Sequence, residues 1–206
     1  MSYTYHFPRP SVTATLVLIN PERRELRMGV RTRDNEVFPG MPCNVGGFLN
    51  PRIQHRDFTE NFDKPGENPV VKAGETVEAC GVREANEEVG VSLQESELVL
   101  FHLGSSDQHD PRAHVVNGCY YALISDDRWN TMEAGDDIEG LATYKIDEFK
   151  ERPAKLAFNH TELALKAITA WEREVNYQRL VNQEQMLVQL FQIEKRLKAL
   201  EEGQDA

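Results

Sequence analysis

An α+β fold, a mixed sheet flanked by helices and followed by a long helical segment, is predicted by three features of this 206-residue chain. SVTATLVLIN, residues 11–20, is rich in β-branched side chains and stops at Asn-Pro, which marks a strand. AGETVEACGVREANEEVG, residues 73–90, has the spacing of a helix closed by a Gly. From His160 to about Leu200 apolar residues recur at helical intervals. Strands and helices interspersed along one chain pack as a sheet covered by helices.

RELRMGVRTR, residues 24–33, alternates weakly and supplies a hairpin partner for the first strand. VFPGMPCNVGGFLN carries Pro-Gly and Gly-Gly breaks, so turns are expected around a short strand. Residues 50–70 are polar and aperiodic, with Pro51, Pro65 and Pro69, and read as a long loop or excursion of a kind that compact domains seldom keep without use. The helix over residues 76–89 places Val77, Cys80, Ala85 and Val89 on one broad side. Gly81 inside it weakens the helix by about 1 kcal/mol relative to Ala, so it marks either close packing or a tolerated break. SELVLFHLGS and AHVVNGCYYALIS are two further strands joined by the loop SSDQHDPR. DDIEGLATYKIDEF begins acidic and ends in a short strand and turn.

Hydrophobic residues make up 40% of the chain, enough for one domain with an appendage. Formal net charge is −11, which argues against a mainly electrostatic grip on nucleic acid. The three cysteines, Cys43, Cys80 and Cys119, have no C-x-x-C spacing and are odd in number, so a reduced interior is expected rather than a disulfide framework. The N-terminal residues lack a basic-then-apolar signal pattern, and no apolar run is long enough to cross a bilayer. The expectation is a cytoplasmic protein with no membrane partner.

The chemistry concentrates on the central helix. Glu84, Glu87 and Glu88 stand at i, i+3 and i+4, so their side chains share a face. Like charges so placed repel by a few tenths of a kcal/mol per exposed pair, a cost that a hard divalent cation removes. Mg²⁺ prefers oxygen ligands and often binds through carboxylates together with substrate phosphate. Arg83 can hold a carboxylate bidentately, and Glu75 can stabilise the first turn or act as an outer ligand. An ordinary acidic solvated helix would show the same spacing.

Residues 74–91, GETVEACGVREANEEVGV, resemble the signature of the Nudix hydrolase family: Gly, five residues, Glu, seven residues, Arg-Glu, aliphatic, any, Glu-Glu, any, Gly, aliphatic. Glu75, Arg83, Glu84, Ala85, Glu87, Glu88, Gly90 and Val91 fall in register, whereas Pro69 stands where the leading Gly belongs. The Gly46-Gly47 pair is similar to the glycine pair that ends the preceding strand, with an insertion over about residues 48–69 between them. The resemblance implies a Nudix-type α/β/α sandwich over residues 1–172, followed by a C-terminal helical extension over residues 173–206. It implies Mg²⁺ or Mn²⁺ held by Glu84, Glu87 and Glu88, with Arg83 orienting Glu84 or Glu87. It also implies hydrolysis of a nucleoside diphosphate derivative, the metal acidifying a water and a carboxylate taking its proton. Glu88 on the helix and Glu139 in the acidic turn AGDDIEG are both candidates for that base.

Two further stretches, DPRAHVVNGCYYALI and KLAFNHTELALKAI, resemble segments of ADP-ribose pyrophosphatases and of the Nudix-like domains of nicotinamide-metabolism regulators. Asn159 stands where those relatives carry Asp. ADP-ribose is the implied substrate, cleaved to AMP and ribose 5-phosphate. NADH, dinucleoside polyphosphates and nucleoside triphosphates stay open, as does a non-catalytic ADP-ribose sensor. Gly46 and Gly47 are candidate substrate contacts. Arg112 either contacts a phosphate or ribose or ties down its loop through Asp110, and Arg31 and Arg33 either meet the diphosphate or are surface charge. Met186, Leu190, Ile193, Leu197 and Leu200 form a heptad-like stripe that packs on the domain, binds a partner or makes a homodimer.

Overall fold

The computed structural model describes residues 10–50, 74–106 and 108–204, and the side chains of these up to residue 198. The chain divides into two compact units, residues 1–167 and 168–206. The first holds strands β1 (Ser11–Asn20), β2 (Glu25–Arg31), β3 (Pro42–Cys43), β4 (Val45–Phe48), β5 (Val99–Ser106), β6 (Val115–Leu123) and β7 (Ile138–Lys145). Its helices are α1 (Val77–Val89), α2 (Asp126–Asn130) and α3 (Ile146–Glu151), and α4 (His160–Gln204) begins within it.

Strand β1 organises the sheet. β6 runs parallel to it from Ser11–Val115 to Ile19–Leu123. β4 pairs antiparallel with its first half, Thr13–Phe48 to Leu16–Val45, and β2 with its end, Leu18–Arg27 to Asn20–Glu25. β3 and β7 extend the sheet from β2, and β5 from β6. The parallel pair makes the sheet mixed. Residues 14–20 are buried consecutively, so both faces of β1 are covered, which explains its continuous apolar run.

Helix α1 is bounded as its residues dictate. The Thr76 hydroxyl accepts the Ala79 N–H at 3.0 Å, and Gly90 closes the last turn at φ 66°. Cys80, Ala85 and Val89 share one buried cluster with Leu16, Leu18 and Val45 of the sheet and with Trp129. Burial of each Leu or Val there stabilises the fold by about 1.5–3 kcal/mol. Gly81 marks close packing, because a Cβ there would stand 2.5 Å from the Leu16 side chain. The same inward face carries Glu84 and Glu88, both buried.

Several elements differ from the sequence expectation. The strand after the acidic turn is eight residues long and pairs with β2 along its length except at a bulge at Glu139, then passes into α3. β2 ends at Arg31, so Arg33 lies beyond it and the two arginines do not share a strand face. The short helix α2 buries Trp129 completely, with the Arg27 guanidinium 4.2 Å above its ring. The insertion over residues 48–69 lies, after Asn50, outside the described residues.

The second unit is the continuation of α4. Met186, Leu190, Ile193 and Leu197 are all exposed, as are Leu187 and Phe191 beside them. Among the described residues no helix is long and apolar enough to cross a membrane.

Candidate active site

Arg83 is the hub of the carboxylate cluster. Its Nε donates to Glu75 Oε2 at 3.0 Å and its Nη2 to Glu75 Oε1 at 2.8 Å, a two-pronged grip. Its Nη1 donates to Glu84 Oε1 at 2.7 Å and to Glu87 Oε2 at 2.8 Å, and Nη2 also meets the Phe48 carbonyl at 3.1 Å. One guanidinium thus spans three carboxylates and the end of β4. The sequence reading paired it with Glu84 or Glu87; it holds both, and Glu75 is its firmest partner. The sequence offered Glu75 as a first-turn acid or an outer ligand, and the structure makes it the two-pronged partner of Arg83.

The glycine pair is shaped by the same cluster. Gly46 has φ 148°, and a Cβ there would fall 2.1 Å from the Ala14 carbonyl oxygen of β1. Its N–H donates to Glu88 Oε2 at 3.0 Å. A Cβ on Gly47 would lie 2.3 Å from Glu84 Oε1. Both positions therefore exclude a side chain, the first for the strand and the second for the carboxylate.

These groups border a cavity of about 470 Å³ within the first unit. Glu84, Glu88, Gly46, Gly47, Arg31 and Arg112 all line it. Glu87 stands at the exposed side, held by Arg83. Two candidates fall elsewhere. Arg33 is 88% exposed and faces Glu139 at 3.7 Å, so the pair is a surface contact and neither side chain is part of the cavity wall. The acidic turn instead contributes Asp136 and Asp137 to the wall. Asp136 adopts φ 50°, a backbone choice that the sequence stretch AGDDIEG does not announce.

Arg31 is buried. It donates to the Val37 carbonyl at 2.9 Å and to Asn35, and lies 3.6 Å from Asp137. Arg112 grips Asp110 with Nε at 2.9 Å and Nη2 at 2.7 Å, so it does tie down its loop, and it also lines the cavity. Its guanidinium lies 4.8 Å from the Phe48 ring and 5.6 Å from that of Phe158, which Arg31 approaches at 5.5 Å. Phe158 in turn meets Phe38 edge-on at 4.8 Å, and both adopt φ 53°. Phe158 lines the cavity, and its ring meets that of Phe38 only when the segments before β3 and α4 come together.

The electrostatics follow from burial. Burial pushes the Glu84 carboxyl up, against the opposing Arg83 bond. Glu88 is pushed well above the usual carboxylate range by burial, and the Gly46 N–H only partly offsets it. Glu75 is held below that range by Arg83. Among the described residues no three His, Cys, Asp or Glu side chains are already gathered as a ligand set. The donor chemistry nevertheless fits a hard divalent cation: Glu84 and Glu88 are oxygen donors buried at the cavity wall, Glu88 has a charge that burial penalises, and Glu87 adjoins them.

A carboxylate-bearing helix braced by arginine, set against the glycine pair within β4 of a mixed sheet, is the architecture of one class of domain. The chain belongs to the NUDIX family: the family model described as NUDIX domain matches residues 9–166. It is 32% identical over 119 residues to an ADP-ribose pyrophosphatase of Methanocaldococcus jannaschii, a match covering 58% of this chain and 63% of that protein. The chain thus spans somewhat less than two thirds of that relative. The fold is similar to the NUDIX domain of Shewanella oneidensis NrtR, solved in complex with ADP ribose, with TM-score 0.58, 19% identity and coverage of 80% and 90% of the two chains. It is also similar to a MutT/nudix family protein of Enterococcus faecalis, with TM-score 0.57, 22% identity and coverage of 82% and 64%.

Proposed function

We propose that the chain hydrolyses the pyrophosphate bond of ADP-ribose, or of a related nucleoside diphosphate derivative, with Mg²⁺ or Mn²⁺ as cofactor. ADP-ribose would give AMP and ribose 5-phosphate. The observation that carries this reading is Arg83 spanning Glu75, Glu84 and Glu87 beside the buried Glu88. The M. jannaschii relative supports the choice of substrate.

Glu84, Glu87 and Glu88 would hold the cation. The chemistry it supplies is neutralisation of phosphate charge and acidification of a water. Arg83 keeps Glu84 and Glu87 in place, so their charge needs no rearrangement when substrate enters. Glu88, with one oxygen on the Gly46 N–H, is the helix carboxylate placed to accept a proton at the cavity wall. Glu139, which faces Arg33 at 3.7 Å outside the cavity wall, is the other candidate for that base. Arg31 and Arg112 line the same cavity and would present positive charge to the diphosphate.

The test is product release from ADP-ribose, NADH, NAD, ADP-glucose, dinucleoside polyphosphates and nucleoside triphosphates, with and without Mg²⁺ or Mn²⁺. AMP from ADP-ribose, dependent on metal, is the expected result. Turnover of a different substrate would retain the chemistry and remove ADP-ribose. Glu88→Gln is expected to fold and to lower metal-dependent turnover by about 10²–10⁴-fold. Tight ADP-ribose binding without turnover would favour a sensor, the reading that the ligand bound to the S. oneidensis domain keeps open.

A further inference from the structure

His160 lies at the cavity wall with its imidazole tautomer determined by the backbone. The Asn44 N–H donates to His160 Nδ1 at 2.9 Å, and the Asn44 side-chain amide donates to the His160 carbonyl at 3.2 Å. Because Nδ1 accepts, the ring proton of the neutral side chain resides on Nε2. Among the described residues no acceptor meets that Nε2–H, and His160 is one of the residues lining the cavity. The ring packs 5.1 Å from Phe158, which limits its rotation. Its charged neighbours are Arg31, which disfavours a second ring proton, and Asp110, which favours one. Burial outweighs Asp110 and takes the imidazole down to about 3, so it stays neutral across the physiological range.

We infer that the Nε2–H of His160 is a fixed hydrogen-bond donor to a ligand acceptor in this cavity, a specificity-determining contact and not a proton carrier. Taking a nucleoside diphosphate derivative as the ligand rests on the function proposed above. The acceptor is a sugar oxygen or a purine ring nitrogen. A buried donor of one fixed sense rejects a ligand that offers only another donor there, because both groups would lose hydration unpaired.

Full-length protein carrying ¹⁵N-labelled histidine tests this by long-range ¹H–¹⁵N spectra without divalent metal, so that nothing is turned over. His160 signals are assigned by their loss in His160→Asn. Wild type is expected to show a protonated Nε2 and an unprotonated Nδ1 from pH 5 to 8. ADP-ribose is expected to shift Nε2–H, and a matching shift with AMP or with ribose 5-phosphate assigns the acceptor to the nucleoside or the distal sugar. His160→Asn keeps an acceptor for the Asn44 N–H but removes the Nε2 donor, and should weaken ADP-ribose binding about tenfold. His160→Gln restores a donor near Nε2 and should recover most of that loss. If ADP-ribose does not bind but NADH or ADP-glucose moves Nε2–H, the donor stands and the proposed substrate falls. A proton on Nδ1, unchanged affinity in His160→Asn, or no ligand of the set moving Nε2–H overturns the inference.

Discussion

At the residue scale, the site depends on one planar cation. Arg83 reaches Glu75 through two nitrogens and Glu84 and Glu87 through a third. A lysine carries the same charge but is a single point donor and cannot make that fork. Arg83→Lys is therefore expected to lower kcat/KM about 10- to 100-fold, the usual loss when a group supporting a metal ligand is removed. A Mg²⁺ titration of turnover checks it, and wild-type metal dependence in the variant would show the brace to be dispensable. The carboxylate triad and Arg83 were legible in the sequence because i, i+3 and i+4 spacing is a local property of a helix. The roles of Glu75, Asp136 and Asp137 were not, since each depends on backbone turns that bring distant segments together. That Arg33 and Glu139 face each other outside the cavity wall was not legible for the same reason: charge and proximity in sequence do not say which side of a turn a side chain leaves from.

At the element scale, β1, β4 and α1 form the scaffold of the site. Gly46 lets β4 lie against β1, and Gly47 leaves room for Glu84. The bounds of β1 and the end of α1 followed from a β-branched run and terminal Gly90, while the Thr76 cap showed only in the structure. The length of β7 did not, because it is completed by pairing with β2, broken only by a bulge at Glu139. Helix α4 carries the element-scale prediction. Residues 173–204 hold five acidic and five basic side chains, so this segment bears none of the chain's negative excess. With Leu190 and Leu197 at a and Met186 and Ile193 at d, the stripe has the register of a two-stranded coiled coil. The stripe is exposed in the single chain. A second copy of this chain is the expected occupant, and sedimentation should show a concentration-dependent dimer that Leu190→Glu with Ile193→Glu abolishes. A monomer at every concentration, or a dimer unaffected by the pair, would remove α4 as the contact.

At the scale of the whole molecule, burial of titratable groups couples the cavity to stability. The folded-state His160 is depressed to about 3 from the ordinary 6.5. The unfolded chain therefore binds a proton there that the folded chain refuses between those values, and its stabilising contribution, full above 6.5, is lost as pH falls toward 3. His160→Asn cannot titrate, so its melting temperature should fall less steeply than that of wild type between pH 6.5 and 4. Parallel curves from calorimetry would show that His160 is protonated in the folded state as readily as in the unfolded one.

The sequence by itself determined the class of fold, the position and polarity of the acidic helix, and the family to which the chain belongs. These are carried by local periodicity, capping and a spaced motif, all of which survive without knowledge of the rest of the chain. Only the tertiary structure decided which charges face the cavity, which arginines are wall and which are surface, and that His160 keeps its proton on Nε2. Those outcomes depend on groups more than a hundred residues apart meeting, as Asn44 and His160 do, which fixes the imidazole tautomer, and on the burial that follows, which keeps the ring neutral.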